Sequence, residues 1–186
     1  MPTAIDRAAR LDAVAEATLE VALSEGVDAV TIRAVATRMG GSTTVITKFV
    51  PTRAELLDNV IRYVQERWEG EISEEVAPKS GGDRVRALIR WSTRPTRSDR
   101  LIRRFWLNAL ATDDERSRAA VRGEARREHA RIRTAVDGAG KDPWFADLIY
   151  LALRGYYVST IEDPQRWSHR KVASALENLL DAAGKG

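Results

Sequence analysis

Apolar positions recur at helical spacing along almost the whole chain. From about Ile5 to Glu25, Leu11, Val14, Ala15, Thr18 and Ala22 share one face, and Gly26 supplies a terminator. A short second helix is predicted next, with Ile32, Val35, Ala36 and Met39 as its apolar side. Thr31 stands where a cap accepts the N–H of Arg33 or Ala34, and Val30 and Val35 occupy the positions of a hydrophobic staple. Gly40 suits the left-handed residue that closes such a helix, Gly41 extends the bend, and Ser42 is set to cap a third helix. That helix offers Val45, Ile46 and Phe49 to a core and turns Ser42, Thr43, Thr44, Thr47 and Lys48 elsewhere. Pro51 stops it, because the residue before a proline is pushed out of the helical region. Thr52 and Glu55 read as the capping box of a fourth helix, whose face runs through Leu57, Val60, Ile61, Val64 and Trp68.

The remaining chain continues in the same manner. Ala77-Pro78-Lys79-Ser80-Gly81-Gly82 is the clearest loop, followed by an amphipathic stretch from Asp83 to Ser92 and a break at Pro95. Helices are predicted from Asp99 to Ala111 and, rich in arginine, from Asp114 to Val136. Asp142-Pro143 is a cap followed by a first-turn proline, opening a helix through Leu148, Ile149, Leu151, Ala152, Tyr156 and Val158. Asp163-Pro164 turns the chain, and Ser168 caps a last helix with Val172, Leu176, Leu179, Leu180 and Ala183 on one face. No strand alternation or repeat appears. The pattern predicts an all-α fold of about nine helices: a three-helix head over 1–52 and a helical body over 53–186, with the fourth helix connecting the two.

The head carries the most chemistry. A third helix this short, weakly anchored and crowded with hydroxyls contributes little stability, but its shape suits a groove. Hydroxyls reach phosphates and base edges, threonine methyls pack on thymine methyls, and a recognition helix inserts its first turns into the major groove. Two short helices joined by a glycine turn therefore read as a helix-turn-helix, with Thr31, Arg33, Ser42, Thr43, Thr44, Thr47, Lys48 and Arg53 as candidate DNA-binding residues. The bland alternative is a tight helical corner with ordinary polar exposure.

From Leu11 to Leu57 the chain resembles, without a gap, the DNA-binding head of TetR-family regulators. The resemblance lies in the amphipathic first helix, Gly26, Thr31, Gly40, Ser42 and the closing Pro51-Thr52-Arg53-Ala54-Glu55-Leu56-Leu57. It covers about the first third of the chain, and Ser168 to Ala183 is similar to the final helix of many members. Gly41 replaces the family's common turn valine, Thr47 its frequent phosphate-contacting tyrosine and Val50 its usual phenylalanine, while Phe49 fills a His or Tyr position. The resemblance implies a variable effector domain after the head.

Composition narrows the choices further. The chain has 186 residues, enough for a sizeable core, and no cysteine, so neither a disulfide framework nor a thiolate metal site is available. His129 and His169 lie too far apart for a local metal motif, and no metal or cofactor is expected. No apolar run approaches the roughly 20 residues that span a bilayer, and Met1 to Asp6 lacks a signal-peptide core, so no membrane partner and a cytoplasmic location are expected. The net charge of +3 says little about DNA, because residues 1–55 hold six Lys/Arg against seven Asp/Glu, whereas 84–136 hold fifteen arginines against six acids. Binding in the head has to rest on local placement of Arg7, Arg10, Arg33, Arg38, Lys48 and Arg53, with Asp12, Glu16 and Glu20 facing away. The arginine excess further on reads as a solvated face, with a place near DNA phosphates for part of it as the alternative.

In the body, Trp91, Phe105, Trp106, Asn108, His129, Tyr150, Arg154 and Tyr157 are the aromatic and polar side chains suited to a mostly apolar ligand pocket. Trp91, Trp106, Tyr150, Arg154 and Tyr157 are the preferred ligand-binding set. Arg154, flanked by Leu153 and Gly155, is unusual in an apolar helix; pairing with an acid such as Glu162 and holding an anionic effector are both open. The two C-terminal helices, through Leu148, Leu151, Val172, Leu176 and Leu179, suit a four-helix interface with a second copy, or packing on their own body. The expected function is a ligand-responsive transcriptional regulator, a repressor that binds a palindromic operator in double-stranded DNA as a homodimer and answers to an unidentified small-molecule effector. Alternatives are an all-helical small-molecule-binding protein or enzyme with a vestigial helix-turn-helix, and a helical module that binds another protein. No nucleophile–base spacing or glycine-rich phosphate loop supports catalysis.

Overall fold

A computed structural model describes residues 4–96, 101–103, 106–107 and 115–183. Every regular element among them is helical: α1 (Ala4–Glu25), a 3-10 turn (Val27–Ala29), α2 (Ile32–Arg38), α3 (Thr43–Thr47), α4 (Arg53–Glu75), α5 (Gly81–Thr93), α6 (Glu115–Asp137), α7 (Pro143–Glu162) and α8 (His169–Ala182). Residues 101–103 and 106–107 are helical as well. They are the described part of the helix expected from Asp99 to Ala111; Phe105 and Asn108 lie outside the described residues. No helix among the described residues is long and apolar enough to cross a membrane.

The chain packs as two compact units, Met1–Trp68 with Arg97–Asn108, and Glu69–Thr96 with Ala109–Gly186. The first is built on Val14, Val21, Val30, Val35, Ile46, Leu56 and Val60, all essentially inaccessible to water. Its polar ties join α1 to α4: Asn59 Nδ2 donates to the Leu11 carbonyl at 2.7 Å, Arg62 reaches Asp12 at 3.1 Å, and the Tyr63 hydroxyl donates to Glu16 at 2.5 Å. Asp12 and Glu16 thus fasten the first helix to the fourth.

The second unit has its own core of Val85, Ile89, Ile132, Val136, Phe145, Ile149, Leu153, Leu176 and Leu180. Ion pairs between helices rim it, including Arg86 with Asp181 and Arg90 with Glu177 between α5 and α8. Arg131 bridges Glu69 and Glu124, while Arg94 engages Glu71 and Glu75. Much of the arginine excess of this region thus pairs helices rather than forming an unbroken positive face. The more exposed of these pairs, such as Arg90 with Glu177, contribute little individually.

Candidate functional site

Helix α2 is closed at both ends by its own sequence. Thr31 Oγ1 accepts the Ala34 N–H at 3.1 Å, satisfying one orphan donor of α2, and the Val35 N–H bonds to the Thr31 carbonyl at 3.0 Å to start the regular helical ladder. At the other end Gly40 has φ of +65°, its N–H donates to Thr37 at 3.1 Å, and the Gly41 N–H donates to Ala36 at 2.9 Å. These two bonds are the full Schellman closure, and they turn the chain sharply into α3. Ser42 occupies the N-cap of α3 with extended backbone, but its hydroxyl makes no capping bond. That hydroxyl remains on the surface.

The third helix is held almost entirely by one side chain, Ile46, which is 1% exposed. Val50, just beyond it, is also buried, and Phe49 is half-buried. Val45, predicted to join this core, stands 39% exposed. With one residue of a five-residue helix pointing inward, Ser42, Thr43, Thr44, Val45, Thr47 and Lys48 all lie on the surface, as do Thr31 and Arg33 on α2. A single anchor fixes the helix while leaving nearly its whole circumference available to a partner.

Two cations of the head have work within the fold. Arg53, expected at DNA phosphates, sends Nε to the Val30 carbonyl at 2.9 Å and Nη2 to the Val27 carbonyl at 3.0 Å. It ties the start of α4 to the 3-10 turn that precedes α2, and the adjacent Thr52 Oγ1 accepts the Glu55 N–H at 3.2 Å as half of the expected capping box. Arg38 is drawn to α1 by Glu25 at 3.1 Å and by Glu20 at 3.7 Å, so α1 carboxylates partly neutralise a cation of the second helix. Arg53→Met should therefore destabilise the first unit by about 1–2 kcal/mol, the net worth of charge-assisted bonds to two carbonyls. Urea unfolding of the variant with an unchanged midpoint would show that those bonds contribute nothing.

In the second unit, Tyr150, Arg154 and Tyr157 of α7 gather around Glu128 of α6. Arg154 Nη2 lies 3.0 Å from one carboxylate oxygen of Glu128, and the Tyr157 hydroxyl donates to the other at 2.9 Å. The guanidinium also sits over the Tyr150 ring at 4.9 Å and the Tyr157 ring at 5.9 Å. Burial raises the Glu128 carboxyl above the ordinary glutamate range, with Arg154 and the Tyr157 hydroxyl pulling the other way. The partner of Arg154 is thus Glu128, not Glu162, which is exposed. The sequence offered no helical spacing to reveal it, since the two residues lie on different helices.

The other candidate ligand residues are engaged differently. Trp91 Nε1 donates to Glu71 at 3.3 Å and its ring lies under Arg94 at 5.1 Å, and Trp106 belongs to the first unit. His129 meets Asp147 at 2.6 Å and packs edge-on against Tyr150. No group of three His, Cys, Asp or Glu among the described residues is arranged to hold a metal.

The expected dimer residues separate into two kinds. Leu176 is 5% exposed, inside the core of its own unit, because α8 turns this position and Leu180 inward against α5 and α7. It cannot also form the outer seam predicted for it. Leu148, Val172 and Leu179 are half-buried at the margin of the same core. Leu151 is 64% exposed, and Trp144 and Val158, at 56% and 40%, stand seven residues to either side of it on α7. Seven residues are nearly two turns, so the three side chains form one apolar stripe on the surface of their unit.

No family model and no curated protein matches the chain. Solved structures do. A transcriptional regulator from Rhodococcus sp. Rha1 is 19% identical, with a TM-score of 0.75 over 95% of this chain and 96% of that one. A transcriptional regulator of the TetR/AcrR family from Thermobifida fusca is 19% identical, with a TM-score of 0.70 over 92% of this chain and 96% of its own. The multidrug binding protein EbrR in complex with imidazole is 18% identical, with a TM-score of 0.66 over 91% and 94% of the two chains. The architecture found here is the fold shared with these proteins, over nearly the full length of each.

Proposed function

We propose that this chain, built on the fold of TetR-family transcriptional regulators, is a ligand-responsive repressor that binds a palindromic operator as a homodimer. The observation that carries the reading is α3: a helix closed at its entry by a Schellman turn, anchored by Ile46 and exposing Thr43, Thr44, Thr47 and Lys48 together. A hydroxyl-rich helix with one basic side chain and little inward commitment fits a major groove, where hydroxyls reach phosphates and base edges. Arg33 adds an exposed positive charge on α2. Such a protein works where the DNA is, in the cytoplasm, and binding is its activity.

The apolar stripe of Trp144, Leu151 and Val158, together with Val172 and Leu179 at the margin of the core of the same unit, is the surface assigned to the second copy. An isologous contact along α7 and α8 covers it and places two heads in a symmetric pair, which a palindromic operator mirrors. The cluster of Tyr150, Arg154 and Tyr157 around Glu128, with Trp91, is assigned to the effector. EbrR, of the same fold, is known in complex with imidazole and with malachite green. An effector releases DNA by binding more tightly to the arrangement of heads that does not match successive grooves.

Lys48 and the threonines separate phosphate positioning from base reading. Lys48→Ala should weaken binding to all duplexes alike and reduce the slope of log affinity against log salt by about one for each phosphate that the lysine neutralises. Thr43→Ala or Thr44→Ala should instead change the sequence recovered by binding-site selection. Identical slopes and identical selected sequences in all three variants would place α3 outside the interface.

A further inference from the structure

Among the described residues, the first unit exposes one large apolar side chain, Val45; the others are the three of the α7 stripe. It stands in the middle of α3, between Thr44 on one side and Thr47 and Lys48 on the other, in a row whose remaining members all carry hydroxyls or charge. Nothing in the fold asks for valine there. The core position of this helix is filled by Ile46, and β-branched valine is a poorer helix former than alanine in a five-residue helix that is already marginal.

The neighbouring turn points the same way. Gly41 does not have a left-handed φ, and a side chain added to it would meet nothing within 4 Å. Its part in the Schellman closure uses only its N–H, which any residue but proline supplies. The approach to the first turn of α3 is therefore left clear of side chain without any need of the fold.

Building on the reading of α3 as the groove helix, we infer that Val45 is a specificity-determining residue that packs its two methyl groups on the 5-methyl of a thymine. A valine has no hydrogen-bonding group, so it cannot read donor and acceptor patterns. In the major groove the apolar feature that distinguishes one base is the thymine methyl. Desolvating Val45 against a cytosine edge would instead strip water from an amino group with nothing in exchange. Its hydroxyl neighbours hold the helix to phosphates and base edges, while Val45 demands thymine at one position in each half of the site.

The test replaces thymines one at a time by deoxyuridine, which removes the 5-methyl and leaves every hydrogen-bonding group in place. A duplex enriched from a random pool by the parent protein is used, and binding is measured by fluorescence anisotropy for the parent, Val45→Ser and Val45→Ala. The expected result is one thymine per half-site whose replacement weakens the parent about three- to fivefold, the size of one buried methyl group. Both variants should keep their melting behaviour, since the position is exposed, and should lose that sensitivity. A parent indifferent to deoxyuridine at every thymine, or variants that retain the parent's sensitivity, would overturn the inference while leaving the DNA-binding reading intact. A parent that enriches no duplex at all overturns that reading and this inference together.

Discussion

Replacing Trp144 and Leu151 together by glutamate should convert the proposed homodimer to a monomer. Both side chains stand more than half exposed on the chain alone, and each would occur twice in the proposed symmetric interface. Burying what remains exposed of such side chains is worth roughly 1–2 kcal/mol apiece, so the substitutions remove on the order of 4–8 kcal/mol and set carboxylates into the seam as well. Sedimentation equilibrium at micromolar concentration should therefore show a monomer whose helical content is unchanged. Leu176→Glu is the control with the opposite signature: it places a charge inside the core of the second unit, next to Leu180, Ile149 and Leu153, and should unfold that unit. A dimer that survives Trp144→Glu with Leu151→Glu would show that the stripe on α7 is not the contact between copies.

The second large effect belongs to Glu128. Glu128→Ala leaves the Arg154 guanidinium, only 18% exposed, without the carboxylate that lies 3.0 Å away. Removing one partner of a fully buried pair costs about 3–5 kcal/mol because the remaining charge keeps its desolvation cost, and this largely buried pair should lose a substantial part of that. Replacing both, as Glu128→Leu with Arg154→Met, should recover most of the loss, and a double-mutant cycle by urea unfolding reads the difference. Single variants as stable as the parent would mean that the charge finds water or another partner without cost. The pH dependence has a definite sign. Since burial raises the carboxyl of Glu128 in the folded protein, its contribution to stability is present at low pH and declines as pH rises from the unfolded value through the folded one.

These two clusters show where the sequence was readable and where it was not. Local grammar came through. Thr31 caps α2, Gly40 closes it in a left-handed conformation, Ser168 caps α8 through the Lys171 N–H, and Pro143 opens α7, each because the determinants lie within four residues of one another. Side-chain partners across helices did not. Arg53 as a tie to Val27 and Val30, Arg38 as a partner of Glu20 and Glu25, and Arg154 as a partner of Glu128 all depend on how helices are brought together, which periodicity does not encode. Apolar residues at the edge of a face were ambiguous for the same reason. Val45 and Leu176 both fit an apolar stripe, yet the first faces solvent and the second the core, since a face drawn from spacing alone is wider than the surface it buries.

The bonds of Arg53 within the fold also bear on how DNA-binding variants of the head are read. Its guanidinium reaches two carbonyls of the first unit, so weaker DNA binding by an Arg53 variant mixes a displaced α4 terminus with any direct effect on phosphate. Lys48 is the cleaner probe, because it is exposed and lies at the end of α3, away from the core formed around Ile46.

The central claim, sequence-specific DNA reading by a symmetric pair of heads, is tested most directly by selecting duplexes from a random pool with the full chain and titrating the winner against salt. The proposed function predicts enrichment of an inverted repeat, two chains bound per duplex, and an affinity that falls steeply as salt rises while staying at least about a thousandfold above that for a scrambled duplex. Enrichment of no sequence, with equal affinity for selected and scrambled duplexes at every salt concentration, would contradict it.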